Sequence, residues 1–222
     1  MGVPSFYKYI RNAYKERGIG LSDTCPNHVD RLYLDFNGII HTCKEPVLLE
    51  NGTEKDIFSA VLKYVEHMVI TINPSELLFI SVDGVAPRAK MEQQRKRRYK
   101  SCQDVALEPK KEDSPKKKKW DSNAITPGTR FMSNMDRELY KSKYLRQLSD
   151  KINVIISNSS SPGEGEQKIF RHIRDTEDDE GINVIHGLDA DLFMLSLLVL
   201  PKQIYLYREF ELKPTYVCIT TL

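Results

Sequence analysis

No CxxC pair and no Cys/His run at metal-ligand spacing occur in this chain. Its four cysteines, Cys25, Cys43, Cys102 and Cys218, are scattered, which reads against a zinc site and for reduced thiols inside a cell. Nothing at the start has the pattern of a signal peptide. The longest uncharged apolar run, LFMLSLLVL at 192–200, is too short to span a bilayer. MGVPSF carries Phe6 where a myristoylation signal wants Ser or Thr. The expectation is a soluble intracellular protein, cytoplasmic in preference to nuclear, monomeric and without a membrane partner. No internal repeat is present, and net charge is nearly absent too: 33 basic against 31 acidic residues leave +2, so only the distribution of charge speaks about partners.

That distribution is uneven. From Arg88 to Lys119 there are 13 Lys/Arg and 5 Asp/Glu, a local excess of +8, whereas DTEDDE at 175–180 is almost wholly acidic. With 222 residues and 40% hydrophobic content, the chain suits one domain, residues 1–222, with an inserted excursion. Residues 103–129 break the periodic pattern, with Pro109, Pro115 and Pro127 among charges, and read as an exposed, mobile insertion whose basic part is about 103–120. Its SPKKKKW stretch fits a solvated loop, a nucleic-acid arm or a nuclear-import signal.

Four short apolar segments end alike. RLYLDF ends near Asp35 and LLFISVD on Asp83; NVIIS leads into SPGEGEQ with Glu164 and Glu166; NVIHGLDAD delivers Asp189 and Asp191. Helical patterns at 56–70, 88–99, 134–149 and 165–174 lie between them. Strand alternating with helix predicts an α/β fold with a mainly parallel sheet flanked by helices, and ligands in such sheets sit beyond the carboxyl ends of the strands. Six carboxylates are thereby predicted at one edge.

Each acid alone has an ordinary explanation, capping the helix that follows it. Six together repel one another unless cations sit among them, and an all-carboxylate set suits Mg²⁺ or Mn²⁺ rather than zinc. Asp189 and Asp191, two apart, share a side if their segment is extended. Glu164 and Glu166 do so only if Pro162, Gly163 and Gly165 hold them in a turn before the helix settles. Phe193 stands where a haloacid-dehalogenase phosphatase has Thr or Val, which argues against that class. Two metal ions clamping attacking and leaving oxygens point to phosphodiester hydrolysis.

Beyond Asp83 the chain runs into DGVAPRAKMEQQRKRRYK. As a helix this places Lys90, Gln94, Arg97 and Arg98 on one stripe, either a solvated basic face or a holder for phosphate. Beside the acids, it fits a nucleic acid whose terminal phosphate is gripped while metal ions cut the next linkage.

MGVPSFYKYI, LYLDFNGIIHTC, SVDGVAPRAKMEQQRKRR, DSNAITPGTRFM, SPGEGEQKI and IHGLDADLFMLSL resemble, in this order, the N-terminal catalytic region of the XRN family of 5′→3′ exoribonucleases. The resemblance implies a PIN-like, flap-nuclease-type sheet with two Mg²⁺ ions, for which Mn²⁺ can substitute. It also implies stepwise hydrolysis of single-stranded RNA bearing a 5′-monophosphate to nucleoside 5′-monophosphates. Asp35, Asp83, Glu164, Glu166, Asp189 and Asp191 match the family's metal site, and Lys90, Gln94, Arg97 and Arg98 its 5′-phosphate pocket. His41 matches a histidine that stacks on a base; by sequence alone it reads as a packed or helix-end histidine. Family members continue through a further metal-site Asp in a GNDF-like motif and an aromatic partner for the stack, whereas this chain stops at YVCITTL. It reads as a fragment or a natural short form. Two other readings stay open: an RNA-binding module of the same fold with impaired catalysis, and a flap-type DNA nuclease, against which no helix-hairpin-helix pattern is visible.

Overall fold

The computed structural model describes residues 9, 12, 13, 21, 22, 24–107, 120–177, 180–210 and 213–221. Most of the MGVPSFYKYI motif and the lysine run of the expected insertion lie outside the described residues.

A seven-stranded sheet organises the chain, in the order β1-β7-β6-β5-β2-β3-β4. The strands are β1 (Leu21–Ser22), β2 (Arg31–Asp35), β3 (Leu77–Ser81), β4 (Asn153–Ser157), β5 (Asn183–His186), β6 (Ile204–Phe210) and β7 (Lys213–Cys218). The five strands from β6 to β4 are mutually parallel, and β7 and β1 add an antiparallel edge. The expected α/β class is therefore what the chain adopts. β2, β3 and β5 are buried almost without a break, as strands covered on both faces must be.

Alternate residues of each strand feed two separate cores, because side chains alternate across a pleated strand. Leu32, Leu34, Leu78, Ile80 and Val184 face one layer, built from α1 (Phe36–Leu49), α2 (Glu54–Ile72), α4 (Arg130–Lys141) and α5 (Lys143–Ser149). Tyr33, Phe79 and Ile185 face the other, built from α6 (Gly165–Asp175) and α7 (Asp191–Leu197). In α2 the buried Ile57, Phe58, Val61, Val65, Met68, Val69 and Ile72 form one apolar stripe. The Thr53 N–H donates to Asp56 at its start, and Asn73 ends it in the left-handed conformation, φ 51°.

Several elements differ from the sequence expectation. Helix α1 follows β2 with no loop, although it contains Gly38 and Pro46; burial of Phe36, Ile39, Ile40 and Cys43 outweighs their low helix propensity. The pattern at 134–149 is two helices, broken at Ser142, whose Oγ accepts from the Leu145 N–H. Helix α3 (Arg88–Leu107) runs eight residues past the expected 99, so 103–107 are helical rather than looped. Residues 121–129, expected within the mobile insertion, are instead packed. Ile125 is buried, the Asp121 carboxylate accepts from the Asn123 N–H, and the buried Lys44 holds Ser122 at 2.7 Å. No described helix is long and apolar enough to cross a membrane.

Strand order sets the site. The chain moves outward from β2 to β3 and β4, then returns to the other side of β2 for β5 and β6. Order therefore reverses at β2, and the crevice at its carboxyl end, where Asp35 stands, is the expected ligand position.

Candidate active site

All six acids line one cleft of ≈ 790 Å³ at that edge, together with Lys90, Gln94, Arg97 and His41. Each arrives from a different local cause. Asp35 is the last residue of β2 and the N-cap position of α1, yet its side chain makes no capping bond. Glu164 is the N-cap position of α6, also without a capping bond. The capping explanation therefore fails where it was strongest. Asp83 does cap a helix, but a distant one: its Oδ1 accepts the Gly165 N–H at 2.6 Å, joining the end of β3 to the start of α6. Gly163, at φ +107°, makes the turn that leaves Glu164 extended and Glu166 in the first helical turn, so the turn required by the sequence is present.

Asp189 and Asp191 reach the cleft differently from the expectation. The segment is not extended there: Ala190 has helical dihedrals and Asp191 opens α7. Asp189 is an exposed loop residue and Asp191 a helical one, so their common destination comes from the turn into α7.

Crowding marks the electrostatics. Burial, then the charges of Asp83, Asp189, Glu166 and Glu164, pushes Asp35 well above the usual carboxylate range. Asp83 is raised by burial, with the Gly165 N–H pulling it back, Glu164 pushing it up and Lys168 pulling it down. Glu166 is pushed up to about 7 by burial and Glu164, against the pull of Lys90. Such shifts describe acids short of positive charge, which a cation among them would supply. The donor set, oxygen throughout with no cysteine in the cleft, fits a hard divalent ion. Among the described residues, however, no group of three or more Asp, Glu, His or Cys side chains is drawn together closely enough to hold one.

The basic helix α3 forms the opposite wall and is already tied to the acids. Lys90 Nζ lies 3.4 Å from Glu164 Oε2, and Gln94 Nε2 donates to Glu164 Oε1 at 3.4 Å. Arg97 is exposed and lines both the main cleft and an adjoining recess of ≈ 330 Å³. Arg98 lines only the recess. Its guanidinium donates to the Gln94 carbonyl at 3.3 Å and to Thr126 Oγ1 at 3.4 Å. His41, exposed on α1, borders both spaces.

Two residues of the site, Lys168 and Asn37, carried no signal that sequence reasoning used, and a third, Gly165, was read only as part of the turn that holds Glu164 and Glu166. Lys168 is buried, and its Nζ donates to the carbonyls of Val82 (2.7 Å) and Asn158 (3.0 Å), bracing the loops beyond β3 and β4. Gly165 admits the acids: a Cβ there would stand 3.0 Å from Asp35 Oδ1 and 3.2 Å from Asp83 Oδ1. Asn37, whose Oδ1 accepts from the Asp83 N–H at 3.1 Å, was visible only as the amide two positions after Asp35.

This arrangement of strands and cleft defines an α/β core of the PIN-like, flap-nuclease type. Residues 1–210 match the family described as the XRN 5'-3' exonuclease N-terminus, and the chain belongs to that family. It is 37% identical over 230 residues to 5'-3' exoribonuclease 1 of Schizosaccharomyces pombe, covering 94% of this chain and 17% of the relative. Against 5'-3' exoribonuclease 2 of the same organism, identity is 40% over 212 residues, covering 83% of this chain and 21% of the relative. The corresponding protein of Arabidopsis thaliana is 36% identical over 255 residues, with 94% and 25% covered. The chain thus spans between about a sixth and a quarter of the length of these curated relatives.

Proposed function

We propose that this chain carries the catalytic core of a 5′→3′ exoribonuclease. It would hydrolyse single-stranded RNA bearing a 5′-monophosphate to nucleoside 5′-monophosphates, with two Mg²⁺ ions, Mn²⁺ substituting. The observation that carries this reading is the single cleft with six carboxylates on its floor and the Lys90, Gln94, Arg97 and Arg98 stripe along its wall and recess.

Asp35, Asp83, Glu164, Glu166, Asp189 and Asp191 would hold the ions, with Asp35 and Asp83 as the most enclosed donors. When bound, such ions supply Lewis acidity that lowers the pKa of water and neutralises charge on the leaving oxygen. The chain's own residues do the rest. Arg97 and Arg98 offer planar donors to a terminal phosphate, and Lys90 adds a point charge at the seam with the acids. A phosphate entering between Lys90 and Glu164 exchanges one anionic partner of Lys90 for another. His41 lies on the wall where the first base would rest, with its ring available for stacking. The 5′ terminus is thereby fixed in register with the acids, and positioning of this kind accounts for a large part of the barrier in phosphoryl chemistry.

A 3′-labelled single strand with either a 5′-monophosphate or a 5′-hydroxyl tests this reading. Shortening from the 5′ end is expected for the phosphorylated strand. Equal degradation of both, or internal cuts, contradicts it.

One observation favours a second reading. Although the six acids share the cleft, no three of them stand close enough together among the described residues to hold an ion, and on this reading the chain would act as an RNA-binding module with impaired catalysis. Salt-sensitive RNA binding without nucleotide release at any Mg²⁺ or Mn²⁺ concentration distinguishes it.

A further inference from the structure

We propose that Asn37 contacts the substrate directly: its Oδ1 holds the peptide that carries Asp83, and its Nδ2 donates to a phosphate oxygen of the bound strand. The inference rests on the phosphodiester-cutting reading of the cleft.

Hydrogen-bond chemistry fixes the orientation of this amide. The Asp83 N–H is a donor and only the oxygen of Asn37 can accept it, at 3.1 Å, so the NH₂ group lies at the other end. Among the described residues that NH₂ group has no protein partner. The partnered end is not free to swing away. The peptide between Val82 and Asp83 is held from both sides, by Asn37 on its N–H and by the buried Lys168 on its carbonyl at 2.7 Å.

The place is specific as well. Asn37 is half-buried and lines both the main cleft and the recess. The residues that line both spaces with it include Asp83, from the acid floor, and Gln94 and Arg97, from the basic wall. It stands where a strand gripped by α3 must pass to reach the acids. A neutral donor suits that seam. A lysine among carboxylates pairs with one of them, as Lys90 does with Glu164 at 3.4 Å, whereas an amide gives a hydrogen bond to phosphate without competing for the acids' charge.

The test separates this role from simple support of Asp83. Asn37→Asp keeps an acceptor for the Asp83 N–H and replaces the donor with an oxygen; Asn37→Ala removes both. Asn37→Ala adds no charge, so a loss shared by both variants is that of the donor and not of an added carboxylate. Binding of a 5′-monophosphorylated single-stranded RNA is measured by fluorescence anisotropy, with Ca²⁺ in place of Mg²⁺, beside urea unfolding of each protein.

Both Asn37 variants are expected to weaken binding about tenfold or more, the effect of removing one hydrogen bond to a charged group. Asn37→Asp, which keeps the acceptor for the Asp83 N–H, should unfold close to the unsubstituted chain. Binding by Asn37→Asp within about threefold of the unsubstituted chain overturns the proposal. So does unchanged binding by Asn37→Ala, which would leave only the added charge to explain a loss in Asn37→Asp. If the unsubstituted chain binds RNA but releases no nucleotide, the exoribonuclease reading falls while these ratios still decide the role of Asn37. If it binds no RNA, both fall.

Discussion

The main-chain N–H of Gly165 donates to the Asp83 carboxylate at 2.6 Å, across 82 positions of sequence. One bond thus fixes the helix that carries Glu166 to the strand end that carries Asp83. The missing side chain of Gly165 matters equally, since a Cβ would meet Asp35 Oδ1 at 3.0 Å, the Ser81 carbonyl at 3.1 Å and Asp83 Oδ1 at 3.2 Å. Gly165→Ala is expected to displace both acids and to destabilise the chain by about 1–3 kcal/mol, as overpacking does. Urea unfolding reads the stability, and nucleotide release should fall further than stability alone explains.

Lys168 offers a second test of how the floor is braced. Its ammonium serves the buried carbonyl of Val82 and the part-buried one of Asn158; burial pulls its pKa down to about 8, against the charges of Asp83 and Asp136, which favour the ionised form. Lys168→Met strips these partners without creating a large cavity. A loss of about 2–4 kcal/mol in chemical denaturation is expected, from carbonyls and acids left uncompensated.

His186 makes stability depend on pH. It is 4% exposed, Tyr64 Oη lies 2.9 Å from its Nε2, and it stacks on Tyr207. Burial, opposed by Glu209, pushes its pKa down to about 4. The unfolded chain, with an ordinary histidine near 6.5, then binds more protons than the folded one between these values. Stability is full above about 6.5 and falls as pH drops toward about 4, by up to ~3 kcal/mol from this group. In His186→Phe, Tyr64 retains its bond to Glu209, and this part of the pH dependence should vanish from urea midpoints measured between those limits.

These predictions rest on features that were unevenly legible in the sequence. Asp35 and Asp83 could be placed because each follows a run of buried strand formers, and a parallel sheet sends such ends to one edge. The basic stripe could be placed because helical spacing alone decides which residues share a face. Helix α1 was not legible: Gly38 and Pro46 argue against it locally, and only packing of Phe36, Ile39 and Ile40 on β2 and β3 overrides them. Asp189 and Asp191 were assigned to the cleft through an extended geometry that the chain does not adopt. The clamp of Asn37 and Lys168 on the Val82–Asp83 peptide joins residues 46 and 86 positions apart, and spacing along a sequence carries no trace of such pairings.

Arg97 and Arg98 should govern recognition of the 5′ end. Replacing both with Ala is expected to lower the preference for 5′-monophosphate over 5′-hydroxyl RNA by about 10–100-fold, with thermal stability nearly unchanged. The salt dependence of binding should also flatten, by ~0.7 in log–log slope for each phosphate no longer neutralised. Retention of the preference in the double variant would mean that the basic wall does not recognise the 5′ end.

On the proposed function, the acid floor drives metal-dependent release of nucleotides. The most direct test is release of nucleoside 5′-monophosphates from 5′-monophosphorylated single-stranded RNA across a Mg²⁺ titration, repeated with Mn²⁺. The unsubstituted chain is compared with the Asp189→Ala, Asp191→Ala protein. Release that rises with either ion and is lost with the two aspartates is the expected result. RNA binding with no release at any ion concentration, or release indifferent to those aspartates, would contradict it.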